Sequence, residues 1–168
     1  QESIWRLGEA EQAAFSGDRI RVSVWNLCKG VGGILFEHDY RSLCHRSDLI
    51  LTQEALLSQR SMRTFAERGF QTIHAASYKR RDGLRDGVMT VSRVKAHEDC
   101  RRAICKYPEP FLKTPKAALI KTYPMAGSSD RLLVVNIHAT LVRLVSAAVE
   151  EMEHLLDHLP QHEGPVLL

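Results

Sequence analysis

Three side chains stand where apolar runs stop, and each is of a type that can do chemistry: Asn26, Glu54 and His138. Glu54 closes the stretch Asp48-Leu49-Ile50-Leu51-Thr52-Gln53-Glu54. Its carboxylate is a hard oxygen ligand of the kind Mg²⁺ takes, and a rigid strand would hold it in place. Asn26 ends residues 19–26. Asn is a poor strand former, so its place suggests a turn or a ligand role. His138 follows Arg131-Leu132-Leu133-Val134-Val135-Asn136-Ile137. Plain readings exist beside these. A Glu after a strand is commonly a solvated surface residue, and an Asn can simply end a strand. A fourth group is Lys79, Arg80, Arg81 and Arg85, beside Tyr78. Flexible cationic heads next to an aromatic suit a phosphate backbone and a base face. They equally suit a solvated hairpin connection.

Elements that could position these groups follow from periodicity. Residues 19–26 alternate, with Ile20, Val22 and Val24 on one face and Arg21, Ser23 and Trp25 on the other. Leu49 to Leu51 is a short continuous apolar run, the mark of a strand buried on both faces and ending at Glu54. Residues 34–47 and 57–68 read as helices. The second has Leu57, Met62 and Phe65 as its buried stripe and Gly69 as its C-cap. A strand over 70–76, a basic loop over 78–87 and a strand over 88–92 come next. Residues 93–115 read as irregular, with Pro108, Pro110 and Pro115. Strands follow over 116–122 and 131–138, the latter being the most hydrophobic and expected to be central. Residues 142–159 make an amphipathic helix whose buried face is Val145, Val149, Met152, Leu155, Leu156 and Leu159. Pro160 ends it. Residues 164–168 begin another apolar strand. Before all this, residues 1–18 read as an N-terminal extension with a short helix over 9–15. Residues 30–33 read as a flexible glycine loop that lacks the spacing of a nucleotide fingerprint.

Bulk properties set the bounds. A chain of 168 residues is long enough for one domain with a real core. Its 44% hydrophobic and 26% charged residues are ordinary for a globular protein. A net charge of +3 permits nucleic-acid binding without demanding it. No apolar run approaches the ~20 residues that cross a bilayer, and the start has no signal-peptide core. The first residue is not Met, so the chain need not begin at a natural N-terminus. Cys28, Cys44, Cys100 and Cys105 show no CxxC spacing, which argues for unpaired thiols rather than zinc. A cytoplasmic location is the expectation.

The segments in order carry a resemblance. Val24-Trp25-Asn26, the 48–54 stretch, Gly87-Val88-Met89-Thr90-Val91-Ser92-Arg93 and Val134-Val135-Asn136-Ile137-His138 resemble the endonuclease/exonuclease/phosphatase superfamily. Thr114-Pro115-Lys116-Ala117-Ala118-Leu119 and Gly164-Pro165-Val166-Leu167-Leu168 look like a bacterial branch of it. The resemblance implies an α/β fold of the α+β kind, a four-layer α/β/β/α sandwich. It implies hydrolysis of phosphate esters with Mg²⁺ or Mn²⁺, nucleic acid being the substrate toward which the basic group tilts. Glu54 would bind the metal, and Asn26 would organise the metal and its neighbours. His138 would face the scissile phosphate, where its positive form would stabilise charge. Asn136, two residues earlier on the same face, would hold these groups by hydrogen bonds.

The superfamily pattern continues beyond what this sequence contains. A Gly-Asp-Phe-Asn-type motif, a later Asp and a terminal Asp-His pair follow the last apolar strand in such proteins. Their absence makes residues 1–168 read as a single incomplete domain, its C-terminal portion missing and its hydrolysis negligible in isolation. Too few strands remain for a sheet to face the 131–138 strand, and a large apolar face is expected to be exposed. Two other readings stand beside the hydrolase. One is a non-catalytic module of the same fold that binds nucleic acid or a protein. The other is a generic α/β domain in which Asn26, Glu54 and His138 never meet. The oligomeric state is not legible.

Overall fold

The computed structural model describes residues 3–30, 34–111, 113–140 and 145–168. Among the described residues nine strands form two sheets, with three α-helices outside them. The first sheet contains β1 (Ile4–Leu7), β2 (Val22–Asn26), β3 (Leu49–Leu57), β4 (Gln71–Lys79) and β5 (Arg85–Ser92), in the order β1-β4-β5-β3-β2. The second contains β6 (Cys100–Ile104), β7 (Ala117–Pro124), β8 (Arg131–Ile137) and β9 (Val166–Leu167), in that order. Helix α1 (Ile34–Arg46) and the short α2 (Gln59–Phe65) cover the first sheet; α3 (Val145–Leu156) covers the second.

The core has three apolar layers because the strands alternate. Leu49, Leu51, Ile73, Ala75 and Val88 face Leu119, Tyr123, Leu132 and Val134 between the sheets. Ile50, Met89 and Val91 point the other way, onto Tyr40, Cys44 and Phe65 of α1 and α2. Ile120, Leu133 and Val135 meet Leu155 of α3. The continuous run Leu49-Ile50-Leu51 is therefore apolar on both faces, as its sequence implied.

Several expectations are corrected. The strand at Leu49 does not end at Glu54; β3 runs on to Leu57, which the sequence had given to a helix. Helix α2 is correspondingly short, and its C-cap is Ala66 rather than Gly69. Ser58 caps its start in a reciprocal pair with Ser61, a Ser-x-x-Ser version of the capping box. Residues 9–15 are not helical. Ala10, Gln12 and Phe15 make single bridges to Gly69, Val94 and Met125, and β1 pairs with β4. The irregular stretch 93–115 contains β6, whose two arginines hid it. The basic loop shrinks to residues 80–84, since Tyr78, Lys79, Arg85 and Asp86 are strand residues. The 131–138 strand has a full sheet facing it, because β3 and β5 pack over β8.

The two edges that carry β2 and β9 are less well covered. Val24 is 68% exposed and Val166 is 57% exposed, so the apolar face of β2 read from its alternation is largely solvated. Helix α3 also differs from its helical-wheel reading. Leu155 is buried, but Val145, Val149, Met152 and Leu156 face outward. Residues 142–144 and 31–33, which the sequence reading placed in a helix and a loop, lie outside the described residues.

Candidate active site

Glu54 has a backbone φ of 51°, a left-handed value that a Glu rarely adopts. The cause is a β-bulge: the β3–β5 register shifts between Thr52 and Ala55. Thr52 pairs with Met89 and Ala55 pairs with Gly87, on the helix-covered face, so two residues lie between them where alternation allows one. Gln53 and Glu54 are thus both available to the second sheet. Without the bulge Glu54 would point toward the helices. A left-handed residue of this size costs about 1 kcal/mol or more, and such strain persists where the surroundings hold it.

The surroundings are specific. Asn26 donates from Nδ2 to Glu54 Oε1 at 3.2 Å, and its own Oδ1 accepts the Cys28 N–H at 2.9 Å. His138 Nε2 lies 3.8 Å from the same Glu54 oxygen. Asn26 on β2, Glu54 on β3 and His138 just beyond β8 therefore meet at one end of the sandwich. The generic reading, in which they never meet, is corrected by these distances. Asn136 is fully buried beneath them. It accepts from Gln53 Nε2 at 2.9 Å and donates to the carbonyls of Met89 (2.9 Å) and Thr52 (3.2 Å). It thereby ties β8 to the bulge from below and does not reach the surface.

Electrostatics depart from expectation at His138. Burial first, then the nearby Lys116 charge, holds its pKa below the ordinary histidine value, while Glu54 and Glu109 pull the other way. The neutral ring is favoured, not the imidazolium. Lys116 is itself buried and ion-paired to Glu109 at 2.9 Å.

A second carboxylate escaped the sequence reading. Asp86 is buried on the inter-sheet face of β5 and accepts the Tyr78 hydroxyl at 3.2 Å. Burial raises its pKa, opposed by Tyr78, Lys116 and Lys29, and Glu54 adds a further rise. Tyr78 reaches Asp86 through a second bulge, between Ala76 and Tyr78 of β4. Arg102 of the facing sheet donates to the carbonyls of Ala76 and Ser77 that this bulge frees. Gly87 is required there: a Cβ would fall 2.0 Å from the Ala75 carbonyl oxygen. The only sequence signal was an Asp directly before a buried run.

The basic group is split. Leu57 pairs with Arg85, so the 80–84 hairpin lies at the same end of the sheet as Glu54, roughly 10 Å further along. Lys79 and Arg81 are exposed at this end. Arg80 pairs with Asp82 at 2.9 Å. Arg85 stacks over Trp5, 4.6 Å from the ring centroid, on the face opposite Asp86.

Among the described residues no three His, Cys, Asp or Glu side chains group as ligands for one ion. The donors present still fit Mg²⁺ or Mn²⁺. Such ions keep several waters, bind through one or two carboxylates and take further oxygens from phosphates. Glu54 would be the carboxylate for it. The four cysteines are free, and two of them are buried.

Known structures share this architecture. An endonuclease/exonuclease/phosphatase family protein from Leptotrichia buccalis C-1013-b superposes with a TM-score of 0.64, covering 85% of this chain and 62% of its own at 10% identity. A protein of the same description from Beutenbergia cavernae DSM 12333 superposes at 0.59, covering 84% and 44% at 17% identity. This is the endonuclease/exonuclease/phosphatase fold. At such identities the likeness is one of fold. No protein-family model matches the sequence. Among curated proteins, a UPF0294 protein from Klebsiella pneumoniae (strain 342) is 29% identical over 154 residues, 91% of this chain and 56% of that protein. A UPF0294 protein from Yersinia pestis is 30% identical over 158 residues, 91% of this chain and 57% of its own. The chain spans a little over half the length of these relatives. In the endonuclease/exonuclease/phosphatase fold, Asn26, Glu54 and His138 lie at a strand-end mouth, where α/β scaffolds commonly carry function.

Proposed function

We propose that the protein is a phosphoesterase dependent on Mg²⁺ or Mn²⁺, acting on phosphodiesters, with nucleic acid the favoured substrate class. The observation that carries this reading is the strained bulge that turns Glu54 toward Asn26 and His138. Strain held by hydrogen bonds at a surface mouth has no packing purpose here, since the buried residues on either side of the bulge are Thr52 and Ala55 rather than Glu54.

Glu54 would hold the divalent ion, and Asn26 would fix the carboxylate by its amide. Bound there, the ion would neutralise charge on the phosphoryl oxygens. His138 is kept neutral by burial and Lys116, so it offers an N–H to a phosphoryl oxygen rather than a full charge. Asn136 acts through Gln53 and the bulge, as a positioning residue. Lys79 and Arg81 supply cations further along a bound chain, consistent with a nucleic acid.

The test is steady-state hydrolysis of bis(4-nitrophenyl) phosphate and of a short labelled duplex, with Mg²⁺ and with chelator. Glu54→Gln keeps the Asn26 contact and removes the charge, and is expected to lower turnover by about 100-fold or more. Equal rates in wild type and Glu54→Gln would sink the reading. The exposed Lys79 and Arg81 also suit one alternative, a binding module of the same fold. Duplex binding without any Mg²⁺-dependent hydrolysis in the full-length protein would decide for that module.

A further inference from the structure

Lys29 lies in the single 3-10 turn Cys28–Gly30 that leaves β2, three residues after Asn26. Its φ is 64° and that of Cys28 is 47°. Two successive residues with side chains thus occupy the left-handed region, where side chains other than Asn, Asp and Gly are disfavoured. The start of the turn is tied down twice. Cys28 N–H donates to Asn26 Oδ1 at 2.9 Å, and Leu27 N–H donates to the Gln53 carbonyl at the bulge, also at 2.9 Å. Strain in this turn is therefore maintained by the same residues that aim Glu54.

The result is the placement of one ammonium group. Lys29 is half-buried, and its charge acts on Asp86 alongside those of Lys116 and Glu54. Its turn is hydrogen-bonded to Asn26 and to the Gln53 carbonyl, so the residue stands beside the Glu54 mouth. Among the described residues it makes no ion pair. The other nearby cations are committed or turned away: Lys116 to Glu109, Arg80 to Asp82, and Arg85 over Trp5 on the far face.

A phosphodiester brings a negative charge to a mouth that already holds Glu54 and Asp86. Like charges repel, and they do so more strongly where the surroundings are partly desolvated. A divalent ion on Glu54 would bring two positive charges against the three negative ones of Glu54, Asp86 and the phosphodiester, which leaves one unmatched. A second cation beside Asp86 would match it, and of the two cations that act on Asp86, Lys116 is paired with Glu109 while Lys29 has no ion pair among the described residues. We propose that Lys29 binds a non-bridging oxygen of the substrate's phosphoryl group and so seats the ester against Glu54 and His138. This assignment rests on the phosphoesterase reading and names the group that recognises the anion. The strained turn is then the means of aiming a long, flexible side chain that would otherwise extend into solvent.

The deciding variant is Lys29→Asn. Asn tolerates the left-handed backbone better than Lys, so the variant keeps the turn while losing the charge. Lys29→Gly is the second such variant, and Lys29→Arg restores charge. Inorganic phosphate is titrated calorimetrically into the full-length protein with saturating Mg²⁺ at fixed ionic strength, alongside hydrolysis of bis(4-nitrophenyl) phosphate. Lys29→Asn and Lys29→Gly are expected to weaken phosphate binding about 10-fold, about 1.4 kcal/mol. They should raise KM by a similar factor with kcat changed by less than about 3-fold, because a charge contact binds ground and transition states alike. Their thermal midpoints should equal or exceed that of wild type, and Lys29→Arg should bind phosphate within about 3-fold of it. A purely structural Lys29 would show the opposite, lost stability with unchanged phosphate affinity, and that result overturns the assignment. So does wild-type protein that binds no phosphate. Lys29-dependent phosphate binding without hydrolysis would keep this site and remove the phosphoesterase reading. Glu54-dependent hydrolysis with a KM indifferent to Lys29→Asn would do the reverse.

Discussion

Asn136 shows how a single side chain can hold two sheets to one geometry. Its amide is fully buried, and its partners come from Gln53, Thr52 and Met89 in the facing sheet. The sequence placed it correctly on the face of His138, since period-two alternation requires that. Its partners were not legible, because they lie more than 45 residues away in the chain. Replacing it removes several bonds and leaves buried partners unsatisfied, which costs more than the bonds themselves contribute. Asn136→Ala is expected to lower stability by about 2–4 kcal/mol, read from the urea midpoint at unchanged slope. A loss below about 1 kcal/mol would mean that water fills the gap and the bulge does not depend on this residue. The contrast with Glu54 is instructive at this scale. Asn136 stabilises the fold, whereas Glu54 spends conformational energy on its direction.

Among the elements, α3 separates what helical periodicity shows from what packing selects. Val145, Val149, Met152, Leu155, Leu156 and Leu159 cluster on a wheel, yet Leu155 alone of the helix's apolar residues is fully buried. Beside it Glu151 is buried too, accepting the backbone N–H groups of Lys106 (3.0 Å) and Tyr107 (3.1 Å). A buried carboxylate with two N–H donors satisfies its charge through the loop it holds. Hydropathy could not have chosen this face, because it ranks Glu151 as the residue to expose. Leu155→Ala is expected to cost about 2–4 kcal/mol through the cavity it leaves. Val145→Ser, at an 83% exposed position, should stay within about 0.5 kcal/mol. Chemical unfolding of the two variants checks this, and equal losses would show α3 rotated from its described seat. The strands tell the same story. Both bulges, at Glu54 in β3 and after Ala76 in β4, break alternation, one beside Asn26 and His138 and the other beside Asp86.

For the molecule as a whole, acid stability depends on a group in the middle of the first sheet. His74 of β4 is buried, with Nε2 2.9 Å from the Ala55 carbonyl. Burial pushes its pKa down to about 4, aided by the Arg85 charge and opposed by the Ala55 bond. In the unfolded chain it returns to about 6.5. Between these values the unfolded state binds a proton that the folded state refuses, so stability falls as the medium becomes more acid. The contribution is fully present above pH ~6.5 and is lost as pH falls toward ~4, about 3 kcal/mol in all. His74→Gln keeps a donor for Ala55 and removes the titration. Its urea midpoint is expected to vary much less than that of wild type between pH 4.5 and 7. A wild-type midpoint flat across that range would show His74 reaching solvent. Among the described residues no helix is long and apolar enough to cross a membrane.

Sequence alone determined the class of structure, most strand positions and the three residues at the mouth. Local physics suffices for this: Leu49-Ile50-Leu51 is apolar on both faces, 131–137 is a strand by composition, and Asn, Glu and His at the ends of such runs are conspicuous. Tertiary structure decided everything that depends on leaving the regular pattern. Whether Glu54 ends its strand or is turned by a bulge is settled by pairing with Met89 and Gly87, some 35 residues on. Lys29 and Asp86 are brought to one sheet by strand pairing, and Lys116 joins them only when the second sheet is stacked on it, since they lie on three segments with no shared motif. The charge state of His138 was equally out of reach, because it is set by burial and by Lys116 rather than by any neighbour in sequence. Alternation is a local property and shows in composition. A departure from it is stabilised by distant hydrogen bonds, and those exist only in the folded chain.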